Sequence, residues 1–338
     1  MTANPPLIEA VRGGRTESRH RGAFALADAD GRLLAASGDV ETPVFPRSSY
    51  KLFQAVPLVE TGAAEAFDLG DAELSLACAS HSGEARHVDT VRTWLRRLDL
   101  SEDALECGVH RPRHEASADA LIRAGEAFGQ AHNNCSGKHT GFLSIARHLG
   151  APAEGYTKPD HEVQRLVTET ICALSGFDAA RAGIAIDGCS APALAMPLAA
   201  LATGMARCAD PSGLPGGRAA AAGRLTAAIA AEPFMIAGTE RCCTTLIEES
   251  GRRALVKVGA EGVYAGLVPE RGLGIALKID DGGTRAAEVA MAAILVRLGL
   301  IDPEAPRVRA FHRPVIRNWR GLETGILKET GTAFQIGV

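Results

Sequence analysis

Apolar residues that alternate or recur at helical spacing divide this chain into strands near both ends and helices between them. Residues Arg21 to Ser37 predict two short strands around Asp28-Ala29-Asp30-Gly31, because Asp-Gly between apolar runs is a hairpin signal. Strand patterns return near the other end, at Ala254 to Gly259, Gly262 to Leu267 and Leu273 to Asp280. A strongly amphipathic helix is predicted after them, from Arg285 to Leu298.

The segment between these strands is predicted to be helical. A helix from Tyr50 to about Phe67, interrupted at Pro57, places Ser48 at or near a helix start. Further helices are predicted at Leu121 to Phe128, Gly141 to Leu149, His161 to Leu174, Leu194 to Met205 and Gly217 to Ala231. If the strands at about 21–37 and 253–280 share one sheet, the helical region at about 49–250 is an insertion. The pattern then predicts one interleaved domain over residues 1–338.

Composition narrows the class of protein. The chain of 338 residues is 46% hydrophobic and 22% charged, which predicts a packed core rather than disorder. With 36 basic against 40 acidic residues and no Lys/Arg run, neither nucleic acid nor a membrane surface is an expected partner. The most apolar stretches fall short of the about 20 residues of a membrane span. Because the N-terminus lacks a basic segment followed by an apolar one, we expect a cytoplasmic protein.

Ser48-Ser49-Tyr50-Lys51 is the first candidate for chemistry. Residues three apart on a helix face the same way, so a desolvated Lys51 amine can deprotonate the Ser48 hydroxyl. Taken alone, this pattern is more often an ordinary serine N-cap followed by an exposed lysine. Two further segments support a catalytic interpretation of this pattern. Ser80 lies in the polar cluster Cys78 to Glu84, and Lys257-Val258-Gly259 lies on a late strand. Ser-x-x-Lys, Ser-x-Ser and Lys-x-Gly in this order favour an acyl-transfer site.

The eight cysteines favour thiols, metal ligands or reactive groups over disulfides. Cys135 and Cys189 lie in two polar loops, Asn133 to His139 and Asp187 to Ser190, and thiolates from separate loops can hold Zn²⁺. Small buried side chains, or a helix start that presents N–H groups to an anion, are the alternatives. Cys242-Cys243 reads as part of a strand, where neighbours point to opposite faces.

The motifs together resemble a known family. Cys-Ala-Ser-His-Ser-Gly-Glu at 78–84, Asn-Asn-Cys-Ser-Gly-Lys-His at 133–139, Asp-Gly-Cys-Ser-Ala-Pro at 187–192 and Lys-Val-Gly-Ala-Glu-Gly at 257–262 are similar to those of the Rhizobium-type (class 3, asparaginase II) L-asparaginases. The resemblance runs from about Gly22 to the C-terminus. It implies an α/β fold, an α+β sandwich like serine β-lactamases and glutaminases, with an antiparallel sheet from the N- and C-terminal strands. It also implies hydrolysis of L-asparagine to L-aspartate and ammonia by a homodimer.

The resemblance also implies roles for single residues. Two Ser–Lys tandems fall on Ser48 with Lys51 and on Ser80 with Lys257. Zinc ligands, completed by a water, fall on Cys135, Lys138 and Cys189. Residues that bind substrate or orient these groups fall on Arg47, His139, Asp187 and Cys243. We expect zinc to fix the geometry of the site or the orientation of the amino acid, because two Ser–Lys pairs already supply a nucleophile and its base.

Two alternatives remain at this stage. A glutaminase or penicillin-recognising serine hydrolase would carry the same Ser-x-x-Lys and Lys-x-Gly elements, although the two cysteine motifs argue against it. A zinc-dependent amino-acid-binding protein, with structural serines, would bind zinc and an amino acid but release no ammonia.

Overall fold

The computed structural model describes residues 3–178, 181, 183–331 and 333–336. In these ranges the strands are β1 Pro6–Arg12, β2 Arg15–Ala27, β3 Leu33–Ser37, β4 Ile184–Ile186, β5 Pro192–Leu194, β6 Leu255–Val258, β7 Val263–Val268, β8 Leu273–Ile279, β9 Val315–Arg317 and β10 Glu323–Glu329. The α-helices are α1 Lys51–Glu60, α2 Ala63–Ala66, α3 Asp71–Ala77, α4 Ala85–Arg97, α5 Glu115–Ala124, α6 Ser136–Leu149, α7 Glu162–Ser175, α8 Leu198–Ala209, α9 Gly216–Ala231, α10 Pro233–Ala237, α11 Cys242–Glu249, α12 Thr284–Arg297 and α13 Pro306–His312.

The chain divides into two compact units, each built from separate stretches of sequence. The first unit consists of Met1–Ser49, Met196–Asp210 and Thr245–Val338. The second unit consists of Tyr50–Ala195 and Pro211–Thr244. The assignment of residues 1–338 to one interleaved domain stays a prediction. No helix among the described residues is long and apolar enough to cross a membrane.

An antiparallel sheet forms the first unit. Its strand order is β6-β7-β8-β2-β1-β10-β9, and β3 pairs with the end of β2. Strand β2 is central because it is long: Ala25 lies opposite Ala36 of β3 and Ala276 of β8, while the earlier half of β2 pairs with β1. Strands from both ends of the chain therefore share one sheet, and the predicted antiparallel fold class with a helical insert is confirmed. Strands β1, β9 and β10 extend the sheet beyond the predicted ones.

Helices α8 and α12 pack against β7 and β8 of this sheet. Gly274 on β8 permits the contact with α8, since a Cβ there would lie 1.9 Å from the carbonyl oxygen of Ala202. The predicted amphipathic character of the helix at 285–298 is wrong. Residues Ala286, Ala287 and Val289 to Leu295 are all buried, and a helix that is apolar on nearly every side belongs in a core.

The second unit is helical around α1, which packs against α6, α7 and α9. Pro57 does not interrupt α1, which runs on to Glu60 through it. The helix predicted at 121–128 is instead α5, which ends at Ala124 because Gly125 caps it with φ +70°. The helix predicted from Leu194 begins only at Leu198, after the antiparallel pair β4–β5. Cys242 and Cys243 begin helix α11, so the strand interpretation of this pair is wrong.

Candidate active site

Lys51 is the first residue of α1 and is fully buried in the second unit. Its Nζ atom donates hydrogen bonds to the carbonyl oxygen of Ala79, to Ser80 Oγ at 3.1 Å and to Cys135 Sγ at 3.1 Å. Lys51 thus connects Ser80, in the segment after α3, with Cys135, which directly precedes α6. Of the predicted catalytic residues, Lys51 and Ser80 are in direct contact.

The segment that carries Ser80 is held by hydrogen bonds within the second unit. Ser80 N donates to the carbonyl oxygen of Ile236 at 3.0 Å, and Ser80 itself is 2% exposed. The ring of His81 lies 2.9 Å from Ser136 Oγ through Nε2 and accepts from Gly83 N through Nδ1. Burial, with the neighbouring charges of His87 and Lys51, holds the pKa of His81 well below its ordinary value. A neutral His81 therefore ties this segment to the start of α6.

Cys135, Lys138 and His139 lie at the start of helix α6. Cys135 is the N-cap residue, and its backbone N–H donates to Asn133 Oδ1 at 2.9 Å. Gly137 in this turn allows α6 to approach α3, because a Cβ would lie 2.4 Å from the carbonyl oxygen of Leu76. The Gly in the Asn-Asn-Cys-Ser-Gly-Lys-His motif is therefore required by packing.

Cys189 lies in the tight connection between β4 and β5. Ser190 N donates to the carbonyl oxygen of Asp187 at 2.9 Å, and Ser190 adopts φ +72° to close the turn. The Cys189 side chain is buried although the flanking turn residues are not. Its Sγ atom accepts a hydrogen bond from Lys138 Nζ at 3.0 Å. The turn thus directs one thiol toward α6.

The two thiols interact strongly with each other and with Lys138. A hydrogen bond from Cys135 is the largest of the effects that lower the pKa of the Cys189 thiol to about 4, and Lys138 adds to it. The same hydrogen bond, together with burial, raises the pKa of the Cys135 thiol to about 12. Burial opposes the charge on Lys138, but Cys189 and Cys135 outweigh it and raise the pKa of that amine. These pKa directions favour negative charge on Cys189 and positive charge on Lys138.

The donor atoms of this cluster are of the kind that zinc prefers. Two sulfur atoms and one nitrogen match a tetrahedral Zn²⁺ site that leaves its fourth position open. Among the described residues, no group of three His, Cys, Asp or Glu side chains is suited to a metal. A metal held here would therefore need Lys138 as its third protein ligand, in the unprotonated form. The residues present fit such an ion.

His139 and Tyr156 are fully buried beside this turn of α6. His139 Nδ1 lies 2.7 Å from the hydroxyl of Tyr156, which also accepts a hydrogen bond from Glu106 N at 2.8 Å. His139 Nε2 is buried and has no hydrogen-bond partner among the described residues. Tyr156 was missed at the sequence level, because a tyrosine in a Gly-Tyr-Thr loop carries no motif that points to a site.

The remaining predicted site residues, Arg47, Ser48, Lys257 and Cys243, lie on other elements than the cluster around α6. Arg47 and Ser48 belong to a 3₁₀ turn, Arg47–Tyr50, directly before α1, as predicted for a serine at a helix start; Arg47 adopts φ +54°. Lys257 is buried on β6, where its Nζ donates to the carbonyl oxygen of Val258 at 2.7 Å. Cys243 is buried on α11. The pairing of Ser80 with Lys257 stays a prediction.

The Lys-x-Gly element packs against the segment before Ser48 within the first unit. A Cβ on Gly259 would lie 2.6 Å from the carbonyl oxygen of Pro46, which itself accepts from Ser49 N and Oγ. Glycine at this position therefore lets the two backbones meet. The turn after β6 and the start of the Ser-x-x-Lys element are neighbours.

Comparison with known proteins identifies the family. The family described as L-asparaginase II matches residues 8–329, nearly the whole chain. None of the curated proteins compared with the chain matches it. Solved structures that are similar include Mglu in its native form, 17% identical with a TM-score of 0.47 over 89% of this chain and 70% of that one. They also include a β-lactamase from Mycobacterium bovis, 16% identical with a TM-score of 0.39 over 83% of this chain and 95% of that one.

At such identities and TM-scores, these two structures carry no argument about the function of this chain. The family match spans every motif discussed above. The amide substrate of the family is a small molecule. The chain therefore belongs to the L-asparaginase II family and is an amidohydrolase of the asparaginase type.

Proposed function

We propose that this protein hydrolyses L-asparagine to L-aspartate and ammonia through a serine nucleophile that a lysine activates. The observation that carries the proposal is the position of Lys51, whose buried amine contacts both Ser80 Oγ and Cys135 Sγ. The Lys51 amine thereby connects Ser80 with the cluster of Cys135, Lys138 and Cys189. This contact supports one site in which proton transfer and substrate orientation occur together.

The proposed reaction has two stages. Ser48 Oγ attacks the side-chain carboxamide carbon of asparagine as its proton moves to the unprotonated Lys51 amine, and backbone N–H groups stabilise the oxyanion. The carbon–nitrogen bond then breaks, and Ser80 with Lys257 passes a proton to the departing ammonia. Water then attacks the aspartyl ester and gives a proton to the Ser80–Lys257 pair, and Lys51 returns its proton to Ser48 Oγ as aspartate leaves.

The thiol cluster has a supporting role in this proposal. Cys135, Lys138 and Cys189 would hold Zn²⁺, which when bound supplies a positive charge that orients polar groups of the amino acid. Arg47, His139 and Asp187 would bind or orient the substrate around it, with Cys243 as a nearby thiol. Elemental analysis of the purified protein should give one zinc per chain in the wild type and a clear loss in Cys189→Ser.

Two variants separate the serine mechanism from a metal-hydroxide mechanism. Ser48→Ala should lose ammonia release almost completely, by a factor of about 10³ or more, because the nucleophile is gone. Cys135→Ala should weaken turnover without abolishing it, because the Ser–Lys groups remain. The reverse pattern, in which Ser48→Ala keeps substantial turnover and Cys135→Ala has none, would show that metal-bound hydroxide attacks.

Substrate class is tested by kcat/KM for asparagine, glutamine and a chromogenic β-lactam. We expect asparagine to be preferred, with some glutamine turnover, since one methylene is worth only about 1–3 kcal/mol. Stoichiometric binding of zinc and an amino acid without ammonia release would instead identify a binding protein.

We also propose that the protein acts as a homodimer in the cytoplasm. No disulfide bond joins cysteines among the described residues, as expected in a reducing compartment. Light scattering coupled to size-exclusion chromatography should give twice the 35.2 kDa mass of one chain.

A further inference from the structure

The hydroxyl of Tyr156 lies between one backbone amide and one histidine ring. Glu106 N lies 2.8 Å from this hydroxyl, and His139 Nδ1 lies 2.7 Å from it. Among the described residues these are its only hydrogen-bond partners. An amide N–H can only donate, so the phenolic proton has His139 Nδ1 as its single acceptor. A ring that accepts through Nδ1 carries its proton on Nε2.

The other nitrogen of the ring is a buried donor in need of an acceptor. His139 is 0% exposed, and its Nε2 has no hydrogen-bond partner among the described residues. A buried donor without an acceptor costs about 1–3 kcal/mol, so such groups are rare unless a bound molecule supplies the acceptor. His139 follows Lys138 directly, and its backbone N–H donates to the carbonyl oxygen of Cys135. The unpaired donor therefore belongs to the same helical turn as the thiol cluster.

The loop that carries Tyr156 is held firmly in place. The carboxylate of Glu106 accepts hydrogen bonds from Gly155 N at 2.6 Å and from Thr157 Oγ1 at 2.5 Å, one on each side of the tyrosine. Gln164 Nε2 donates to the carbonyl oxygen of Tyr156 at 2.9 Å. Glu106 thus fixes the loop through its side chain and the tyrosine hydroxyl through its backbone. These hydrogen bonds hold the Tyr156 hydroxyl in one position, which is required if it is to orient the His139 ring.

We propose that Tyr156 is a positioning residue, which fixes His139 in the Nε2–H tautomer so that this N–H binds a carboxylate oxygen of the amino-acid substrate. A carboxylate oxygen is the favoured acceptor, because a hydrogen bond to an ionised acceptor is stronger than one to a neutral acceptor. The identity of the substrate rests on the proposed function, whereas the tautomer and the buried donor do not. Aspartate, the product, carries the same carboxylate and binds through the same N–H.

Nuclear magnetic resonance of protein labelled with ¹⁵N in its histidine rings tests the tautomer directly. The His139 signal is the one that disappears in His139→Gln, or in His139→Asn if the first variant does not fold. We expect Nε2–H in the wild type and a mixture of tautomers, or the Nδ1–H form, in Tyr156→Phe. Tyr264→Phe, which removes a buried tyrosine hydroxyl from β7 in the first unit, should leave the His139 signal unchanged. A proton on Nδ1 in the wild type, or an unchanged tautomer in Tyr156→Phe, overturns the proposal.

Affinity tests the role of the N–H. Tyr156→Phe should weaken aspartate binding, measured by calorimetry, and raise KM for asparagine by about 3- to 10-fold, with kcat changed by less than about twofold. A fall in kcat at unchanged KM, with unchanged aspartate affinity, would contradict a substrate-binding donor. If the wild type does not hydrolyse asparagine, the proposed function fails, while the resonance measurement still decides the tautomer.

Discussion

Replacing Lys51 by methionine removes the side-chain amine and keeps an unbranched side chain of similar length. The amine is buried and donates to the Ala79 carbonyl, to Ser80 Oγ and to Cys135 Sγ. A base in this position typically contributes a factor of about 10²–10⁴ in rate, equivalent to about 3–5 kcal/mol of activation free energy. We therefore expect kcat/KM for asparagine to fall by about 10³-fold in Lys51→Met.

The effect of the same change on stability should be much smaller. Each buried acceptor that loses its donor costs about 1–3 kcal/mol, but the variant no longer buries a polar amine, and the two contributions oppose each other. We expect the unfolding temperature to fall by no more than about 5 °C. A large loss of activity in a protein that remains folded is the combination that a catalytic lysine predicts.

The assay combines initial rates of ammonia release with thermal unfolding followed by circular dichroism. Lys278→Met is the matched control, because Lys278 is a partly buried lysine on β8 whose amine also donates to a backbone carbonyl, that of Ile279. This control should keep its kcat/KM within about twofold of the wild type. A folded Lys51→Met protein that retains more than about a tenth of the wild-type kcat/KM would show that Lys51 is not the catalytic base.

Two further changes test the packing and the electrostatics of the fold. Gly137→Ala should lower the free energy of unfolding by about 1–3 kcal/mol, because its Cβ would lie 2.4 Å from the carbonyl oxygen of Leu76. The control is Gly223→Ala on α9, where a Cβ would have no other atom within 4 Å. In the same thermal melt this control should be neutral or stabilising. Glu329 Oε2 lies 3.2 Å from His312 Nε2, and the interaction with His312 is the largest of the effects that lower the pKa of Glu329 to about 2. Since this lies below the about 4.3 of an unfolded glutamate, roughly 2–3 kcal/mol is present above pH 4.3 and is lost as the pH falls towards 2. Urea unfolding at pH 7, 4 and 3 should show this loss in the wild type but not in Glu329→Gln, and equal slopes in both would contradict it.

The sequence pattern predicted the elements whose signals are local. The hairpin at Asp28 to Gly31 joins β2 to β3, and strands β6 to β8 and helix α7 lie within one or two residues of their predicted bounds. Glycine and apolar alternation identify such elements because turn chemistry and strand periodicity act over a few residues. Strands β1, β9 and β10 were missed, and they belong to the sheet only because β1 pairs with β2 and with β10. Long-range pairing leaves no signal in a short window of sequence.

The motifs at 78–84, 133–139 and 187–192 were enough to indicate the family and the residue types of the site. Their arrangement in space depends on the tertiary structure. Lys51 was assigned to Ser48 by spacing, and the fold adds its contacts with Ser80 Oγ and Cys135 Sγ, across 29 and 84 positions of the chain. The contact of Lys138 with Cys189 spans 51 positions.

The amino-acid sequence alone identifies the chemical groups available to this protein: serines, lysines, thiols and a histidine in motifs of defined spacing. Which of these groups are hydrogen-bonded to one another depends on the folded structure, because a hydrogen bond requires two atoms within about 3 Å. Spacing along the chain does not measure the distance between turns of different helices. The same reason explains why the sequence did not indicate a role for Tyr156. No motif includes it, yet the packing of its loop against α6 decides which nitrogen of His139 can donate.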